Sequence, residues 1–361
     1  MKKIFIFVPA VILLMALLTF LRLKVVKDYE EAEYRRQVVN RDQSTPKYNQ
    51  DGLQTKDTLS DKILYENAGI VIYEDRFVNK LSIAETAASE TIRRINALAY
   101  ELGKGREILW VPVPKRIQYE KDFADCNFVY DAFVQNVSEG LLSRVKTVNP
   151  KEILAADREH FLVYRQSDDW TMDAAMLAYQ EVAKVLGITP YPEETFTFFQ
   201  IGTFGGDLAH IWHSYFDETE LEEAMDAAYA EEDPFVFRKS FRFKDYEIHF
   251  DDDGNEQKRP VFMYSIAGAS GIIGGSADYV YLYGYGEETL MIIGDRNGKL
   301  LAPYLTEHYK EVIYVNVERC TTEQMMKLAE EHGVTVIIVA QTVDRSGNPG
   351  YSRALNGLLE Q

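Results

Sequence analysis

The sequence is poor in cysteine and in basic residues. It has 361 residues and two cysteines, Cys126 and Cys320, so one disulfide is possible but a framework of several bridges is excluded. We expect both cysteines to be buried, small apolar residues rather than reactive thiols. Lysine and arginine number 39 against 57 acidic residues, and the formal net charge is −18. Because phosphate binding needs a basic footprint, this balance predicts no nucleic-acid partner.

One long apolar run lies at the N-terminus. Residues 4–21 are predominantly apolar between Lys3 and Arg22, and a run of this length can span a bilayer core. A cleaved signal peptide would begin in the same way, but no small-x-small cleavage site follows Leu21. We therefore favour an uncleaved anchor, with the membrane lipid bilayer as a partner through residues 4–21. The flanking charges leave the orientation open. Because nearly all of the chain follows the anchor, we expect a single-pass cell-membrane protein with an extracytoplasmic bulk.

Composition divides the chain into three parts: a membrane anchor (residues 1–21), a polar stalk or linker (residues 22–60) and a globular domain (residues 61–361). Within the domain, apolar spacing predicts a helix over residues 82–102. The segment "EILWVPVP" predicts a buried strand. Alternating hydrophobicity over residues 238–266 predicts a small antiparallel addition.

The last hundred residues indicate the fold class. The segments "TLMIIGD", "EVIYVNV" and "VTVIIVAQ" are short and apolar, and they alternate with helical patterns such as "GKLLAPYLTEHY". Such a βαβαβ run is typical of a parallel sheet covered by helices on both faces. We therefore predict an α/β domain. Open parallel sheets place their sites at the carboxyl ends of strands, which indicates residues 294–297 as a candidate site.

A second candidate segment is "SDDW", residues 167–170, directly before an amphipathic helical pattern. Ser and Asp accept hydrogen bonds from the free N–H groups of a helix start, and acids suit its positive end. The local interpretation is therefore a helix N-cap. The functional interpretation is part of a catalytic motif, because nucleophilic catalysis needs a hydroxyl, a proton acceptor and an orienting carboxylate.

Two blocks of the sequence resemble a known family. The segments "LVYRQSDDWTMDAAMLAYQEVAKVLG" and "LMIIGDRNGKLLAPYLTEHYKEVIYVNVERC" are similar to blocks of the DHHW proteins, and they occur in the family's order. DHHW proteins are relatives of the alginate O-acetylation proteins and have SGNH-hydrolase-like domains. Weaker similarity extends over roughly residues 61–341. The resemblance implies an SGNH-hydrolase-like domain with a parallel sheet flanked by helices.

The catalytic residues of the family are replaced in this chain. By the resemblance, the triad Asp corresponds to Ser167, the triad His to Asp169 and the nucleophilic Ser to Arg296. A guanidinium is not a nucleophile. Lys299 stands where the family has Asn. The positions that still match the family are Trp170, Asp295 and Pro303. The resemblance therefore implies the family's fold without its acyl-transfer chemistry.

The replacements predict an ion pair. We expect Arg296 to form a charge-assisted pair with Asp169 or Asp168 across the former site. We expect no catalytic residue, no metal and no cofactor. The polar residues that could still bind a ligand are Asp168, Trp170, Asp295, Asn297 and Lys299.

Three further motifs have simple explanations. The glycine-rich residues 265–279 lack the Gly-Lys-Ser/Thr ending of a phosphate loop and predict an ordinary loop. Residues 251–256, "DDDGNE", lack the offsets of a calcium loop and predict a hairpin turn. His210 and His213 lack an evident third metal ligand, which favours surface or capping roles.

These features favour a membrane-anchored, extracytoplasmic pseudoenzyme. By analogy with the family, it would be a binding or scaffolding partner of cell-envelope polysaccharide O-acylation machinery, contacting a membrane-bound O-acyltransferase or the polysaccharide. Two alternatives stay open. An active O-acetyltransferase or esterase with altered chemistry would use Ser167 as its nucleophile, and a protein-interaction module would have a filled pocket with Arg296 inside it.

Overall fold

The computed structural model describes most of the chain after residue 59. The described residues, from Ser60 onward, belong to one compact unit. The segments outside the described residues are 1–59, 67–68, 81–82, 120–122, 158–159, 166, 205–218, 229–232, 241, 245, 251–255, 261–272, 274–276 and 360–361. The predicted anchor and nearly all of the predicted stalk are therefore outside them. In the part that is described, no helix is both long and apolar enough to cross a bilayer.

The described residues form strands in three sheets. The strands are β1 (Ile63–Glu66), β2 (Ile70–Tyr73), β3 (Phe77–Asn79), β4 (Glu107–Val113), β5 (Val145–Thr147), β6 (Phe196–Phe204), β7 (Asp233–Ser240), β8 (Tyr246–Phe250), β9 (Glu256–Pro260), β10 (Tyr279–Tyr283), β11 (Thr289–Gly294), β12 (Glu311–Asn316) and β13 (Val334–Thr342). The central sheet has the order β5-β4-β13-β11-β12-β10-β8-β9, and β1-β2-β3 and β6-β7 form two smaller sheets.

The central sheet confirms the predicted parallel arrangement. Strands β5, β4, β13, β11 and β12 are parallel neighbours. The predicted βαβαβ run corresponds to β11, β12 and β13 with the helices between them. The antiparallel addition is also present, because β8 pairs with β9 and joins the sheet through the antiparallel strand β10. The chain therefore has a mixed α/β domain with a parallel core.

Helices pack on both faces of this sheet. The helices are α1 (Ala87–Leu102), α2 (Ala124–Gly140), α3 (Lys151–Ala156), α4 (Met172–Leu186), α5 (Thr219–Ala228), α6 (Ala302–Leu305), α7 (Thr322–Glu331), α8 (Val343–Ser346) and α9 (Arg353–Asn356). One of them, α5, packs on the small sheet of β1–β3 instead. The helix predicted over residues 82–102 begins at Ala87, after a turn at residues 85–86. The helix predicted for "GKLLAPYLTEHY" is split into a 3-10 turn and α6, because Pro303 has no N–H to continue the first turn.

Alternate residues of the parallel strands face two hydrophobic cores, one on each side of the sheet. Leu109, Ile292 and Ile338 pack with α4 in one core. Their neighbours Ile108, Ile293 and Ile337 pack with α1, α2 and α7 in the other core. These side chains are fully buried, and each contributes about 1.5–3 kcal/mol to folding. The parallel strands therefore form a rigid base for the loops at their carboxyl ends.

The three minor motifs lie mostly outside the described residues. Residues 251–255 connect β8 to β9, which is consistent with the predicted hairpin, but the turn itself is not described. His210 and His213 lie outside, as does most of the glycine-rich residues 265–279.

Candidate functional site

The carboxyl edge of the parallel strands carries a cluster of charged side chains. Strands β4, β11 and β13 end at this edge, and charged residues follow each of them within two residues. The loop before α4 adds the carboxylates of Asp168 and Asp169, which form ion pairs with two of these residues. The position agrees with the rule that sites of open parallel sheets lie beyond the carboxyl ends of strands. The charged cluster consists of Lys115, Asp168, Asp169, Asp295, Arg296 and Asp344.

Arg296 is paired with Asp169, as the sequence predicts. Arg296 Nε lies 2.5 Å from Asp169 Oδ1, within the distance of an ion pair. The Asp169 side chain is 1 % exposed, whereas that of Arg296 is 26 % exposed. The pair therefore joins a buried carboxylate to a guanidinium that borders on solvent, at the two positions that the sequence resemblance assigns to His and Ser.

Asp168 belongs to a second ion pair, with a lysine that sequence reasoning missed. Lys115 Nζ lies 3.1 Å from Asp168 Oδ2 and 2.8 Å from Asp344 Oδ2. Burial opposes the charge of Lys115, but the two carboxylates outweigh burial, so its pKa is raised. Lys115 and Asp344 each follow the carboxyl end of a parallel strand by two residues. That position is the signal that could have identified them.

Asp295 anchors the loop after β11. Its Oδ1 accepts hydrogen bonds from the N–H groups of Asn297 and Gly298, at 3.0 and 3.1 Å. Its Oδ2 accepts the Thr342 N–H at 2.7 Å and also the Thr342 hydroxyl. The residue is 1 % exposed. These bonds tie β11 to the end of β13, so Asp295 serves the architecture of the site rather than presenting a free carboxylate.

Trp170, Asn297 and Lys299 are also buried in the framework. Asn297 Oδ1 accepts the Trp170 N–H at 2.9 Å, which connects the two blocks that resemble the family. The indole N–H of Trp170 donates to Pro114 O at 2.9 Å. Trp170 has no exposed surface and Lys299 is 1 % exposed. Of the residues predicted to bind a ligand, these three are therefore inaccessible in this conformation.

The predicted N-cap role of Ser167–Trp170 is wrong. Helix α4 begins at Met172, and its N-cap is Thr171, whose hydroxyl accepts the Ala174 N–H. Residues 163 and 170 form an isolated antiparallel bridge. The loop between them carries Ser167 with its Oγ accepting the Asp169 N–H at 3.1 Å. Because Thr171 caps the helix, the side chains of Asp168 and Asp169 are available for the two ion pairs.

The described histidine side chains are engaged elsewhere. His160 Nδ1 contacts Asp157, His308 Nε2 contacts the Tyr179 hydroxyl, and His332 Nδ1 contacts Glu311. Among the residues that the structure describes, no group of three His, Cys, Asp or Glu side chains is placed to hold a metal ion. Cys320 is buried and Cys126 half-buried, and both are free thiols.

The charged cluster contains paired cations and carboxylates, but their arrangement differs from that of a catalytic triad. The position that the sequence resemblance assigns to the nucleophile carries the guanidinium of Arg296, and the position that it assigns to the base carries the carboxylate of Asp169, already paired with Arg296. Ser167 is 1 % exposed and its hydroxyl oxygen is used by the Asp169 N–H. Acyl transfer needs an accessible nucleophile beside a proton acceptor, and these three positions do not supply one.

Solved structures share this architecture. A DHHW family protein from Eubacterium siraeum matches with a TM-score of 0.66 and 13% identity, over 82% of this chain and 97% of that one. The chain has the fold of a DHHW family protein. PatB1 from Bacillus cereus, with a sulfonyl adduct, matches with a TM-score of 0.59 and 12% identity, over 78% of this chain and 97% of that one. No family model and no curated protein matches the sequence.

Proposed function

We propose that this protein is a non-catalytic, membrane-anchored binding or scaffolding subunit of cell-envelope polysaccharide O-acylation machinery. The observation that carries the proposal is the pair between Arg296 Nε and Asp169 Oδ1 at 2.5 Å. The family resemblance assigns the nucleophile and the base to these two positions. A guanidinium cannot attack an acyl carbon, and a carboxylate paired with it is a poor proton acceptor.

The cellular part of the proposal is supported by the sequence. The resemblance to DHHW proteins and to relatives of the alginate O-acetylation proteins favours a role beside a membrane-bound O-acyltransferase or its polysaccharide. The shared DHHW fold is consistent with this role but leaves function open, because one fold carries many activities. The apolar run at residues 4–21 supports attachment to the cell membrane, with the domain on the extracytoplasmic side.

A protein-interaction module is the second candidate. It is favoured by the burial of Lys115, Asp168 and Asp169, whose side chains are at most 9 % exposed. In that case the surface around the cluster, rather than a pocket, would contact the partner. Identification of the partner separates the two candidates.

Two assays on the full-length protein in detergent micelles test the proposal. The first measures hydrolysis of p-nitrophenyl acetate, and we expect the wild type and Ser167→Ala to show the same rate as buffer. Hydrolysis that is lost in Ser167→Ala would replace the proposal with an active esterase. The second is crosslinking in the native cells followed by mass spectrometry. We expect a membrane-bound O-acyltransferase, and recovery of soluble proteins alone would contradict the scaffolding role.

A further inference from the structure

The amino-terminal edge of the parallel strands carries a second group of charged side chains. Tyr283, the last residue of β10, pairs with Glu311, the first residue of β12, and the connection to β11 follows at residues 284–288. This edge is opposite to the one at which β4, β11 and β13 end. The group therefore lies apart from the charged cluster and from the positions that the resemblance assigns to catalysis.

Tyr285 is held in this connection while its ring stays accessible. Its N–H donates to Thr306 O at 3.1 Å. A Cβ atom at Gly286 would lie 1.8 Å from His308 O, so the connection packs directly on the backbone that precedes β12. Tyr285 is nevertheless 45 % exposed. The aromatic ring is therefore fixed in position at the surface.

Arg242 stacks on this ring. Its guanidinium carbon lies 3.9 Å from the centre of the Tyr285 ring, and the side chain is 34 % exposed. The nearest carboxylate oxygen among the described residues, Glu307 Oε2, is 3.8 Å away, which is too far for a hydrogen bond. Within the described part of the chain, the guanidinium donates no hydrogen bond. A guanidinium with unused N–H donors is therefore held at the surface by stacking and by charge.

Lys244 lies beside the same ring. Its Nζ is 5.6 Å from the centre of the Tyr285 ring and 5.7 Å from that of Tyr283, distances at which an aromatic ring attracts a cation. Among the residues that the structure describes, no carboxylate forms an ion pair with Lys244. Other exposed lysines pair with glutamates: Lys62, Lys146 and Lys184. Lys244 is therefore placed by aromatic rings rather than by a carboxylate.

The charge that this group presents to solvent is positive. The Glu307 side chain is 1 % exposed, and its Oε1 accepts a hydrogen bond from the Ser240 hydroxyl. No ion pair joins Glu287 or Glu288 of the connection to Arg242 or Lys244. Two cations around one ring repel each other, and an anion between them would relieve this repulsion. The surface therefore favours a negatively charged ligand, although the whole chain has a net charge of −18.

We propose that Arg242 and Lys244 form a binding site for an oxyanion, the carboxylate or phosphate group of an acidic ligand. A guanidinium with one face on an aromatic ring presents its N–H groups along its edge, which matches two oxygens of a carboxylate or a phosphate. Lys244 adds a compact positive charge beside the same ring. The buried Glu307 offsets one of the two cations, which leaves the charge of the other for the ligand.

Titration calorimetry of the full-length protein in detergent micelles tests the site with two probes, inorganic phosphate and malonate. We expect at least one of them to bind, and binding of only one identifies the group that the site prefers. Arg242→Gln should lower the affinity about tenfold, because hydrogen bonds to a charged group are lost. Lys244→Gln should lower it about threefold, as expected for an exposed charge. The matched control is Arg93→Gln, which removes an exposed arginine of α1 and should bind like the wild type.

A thermal unfolding scan of each variant accompanies the titrations. Arg242→Gln removes the cation near the buried Glu307 and should lower stability, whereas Lys244→Gln breaks no ion pair with a described residue. Lys244→Gln therefore keeps the test decisive. Three outcomes would overturn the site: no binding of either probe to the wild type, unchanged affinity in Lys244→Gln, or an equal loss in Arg93→Gln and Arg242→Gln. These outcomes are independent of the esterase assay, because neither cation stands at a position assigned to catalysis.

Discussion

Arg296 Nε lies 2.5 Å from Asp169 Oδ1, and this contact joins the loop after β11 to the loop before α4. The two residues are 127 positions apart in the chain, the same separation as the parallel link from Asn297 Oδ1 to the Trp170 N–H. An ion pair and a hydrogen bond therefore connect the same two loops. The positions that the family resemblance assigns to catalysis here hold the site together.

The Arg296–Asp169 pair should show strong energetic coupling. Arg296→Met leaves a buried carboxylate without its partner and should lower the free energy of unfolding by about 2–3 kcal/mol, somewhat below the cost for a fully buried pair. Asp169→Asn should also destabilise the protein. The double variant should lose less than the sum of the two, with a coupling of at least about 1 kcal/mol. Urea unfolding gives the free energy of unfolding of the wild type, the two single variants and the double variant. If the losses of the single variants add up to that of the double variant, the contact is energetically unimportant.

Lys115 should be more important for stability than an exposed lysine. Lys115→Met leaves Asp168 and Asp344 buried without a cation and should cost about 3 kcal/mol. Lys62→Met is the matched control, because Lys62 pairs with Glu74 on the surface and such pairs contribute about 0–1 kcal/mol. Equal losses in the two variants would contradict the assignment of Lys115 as the centre of the network.

The stabilisation by His160 should depend on pH. Its hydrogen bond to Asp157 is the main cause that raises its pKa from 6.5 to about 9, with burial opposing and nearby carboxylates adding to the rise. Folding thus favours the protonated ring. The stabilisation is complete below the ordinary pKa of 6.5 and is lost as pH rises through about 9.

His160→Gln should therefore cost about 1 kcal/mol at pH 6, after allowance for solvent screening, and almost nothing at pH 10. Urea unfolding of the wild type and the variant at both pH values provides the difference. A loss that is constant, or larger at pH 10, would show that His160 stabilises the protein by packing rather than by charge.

Gly298 should tolerate no side chain. A Cβ atom there would lie 2.1 Å from Ala340 O, a backbone atom of β13, so Gly298→Ala should force the loop after β11 away from β13. We expect a loss of about 1–3 kcal/mol, with a smaller change in Gly350→Ala, whose added Cβ would lie 3.3 Å from the Asn348 side chain. A thermal unfolding scan distinguishes the two. Stability of Gly298→Ala equal to that of the wild type would mean that the close approach is not maintained.

Much of the parallel core could be predicted from the sequence, because wholly apolar strands such as β11, β12 and β13 leave few alternatives. The order of the sheet could not. Strand β13 lies between β4 and β11, and nothing in the local sequence encodes that neighbour relationship. The local sequence also does not encode the position of β10, which pairs antiparallel with β12.

The candidate site was predictable where two positions could be matched to family blocks, which is how Arg296 and Asp169 were paired. Lys115 and Asp344 were missed because their contact is purely tertiary. The N-cap was misplaced because Thr171 caps a helix as well as Ser167 or Asp168 would, and all three precede the same amphipathic pattern. The capping propensities of these residues therefore did not show which of them caps the helix and which forms an ion pair.

The central claim is that the triad positions have no nucleophile. Intact-mass spectrometry after incubation with phenylmethylsulfonyl fluoride tests it most directly, with PatB1 from Bacillus cereus, known with a sulfonyl adduct, as the positive control. We predict that PatB1 gains the mass of one sulfonyl group while this protein stays unmodified. A stoichiometric adduct on Ser167 of the wild type, absent from Ser167→Ala, would contradict the account.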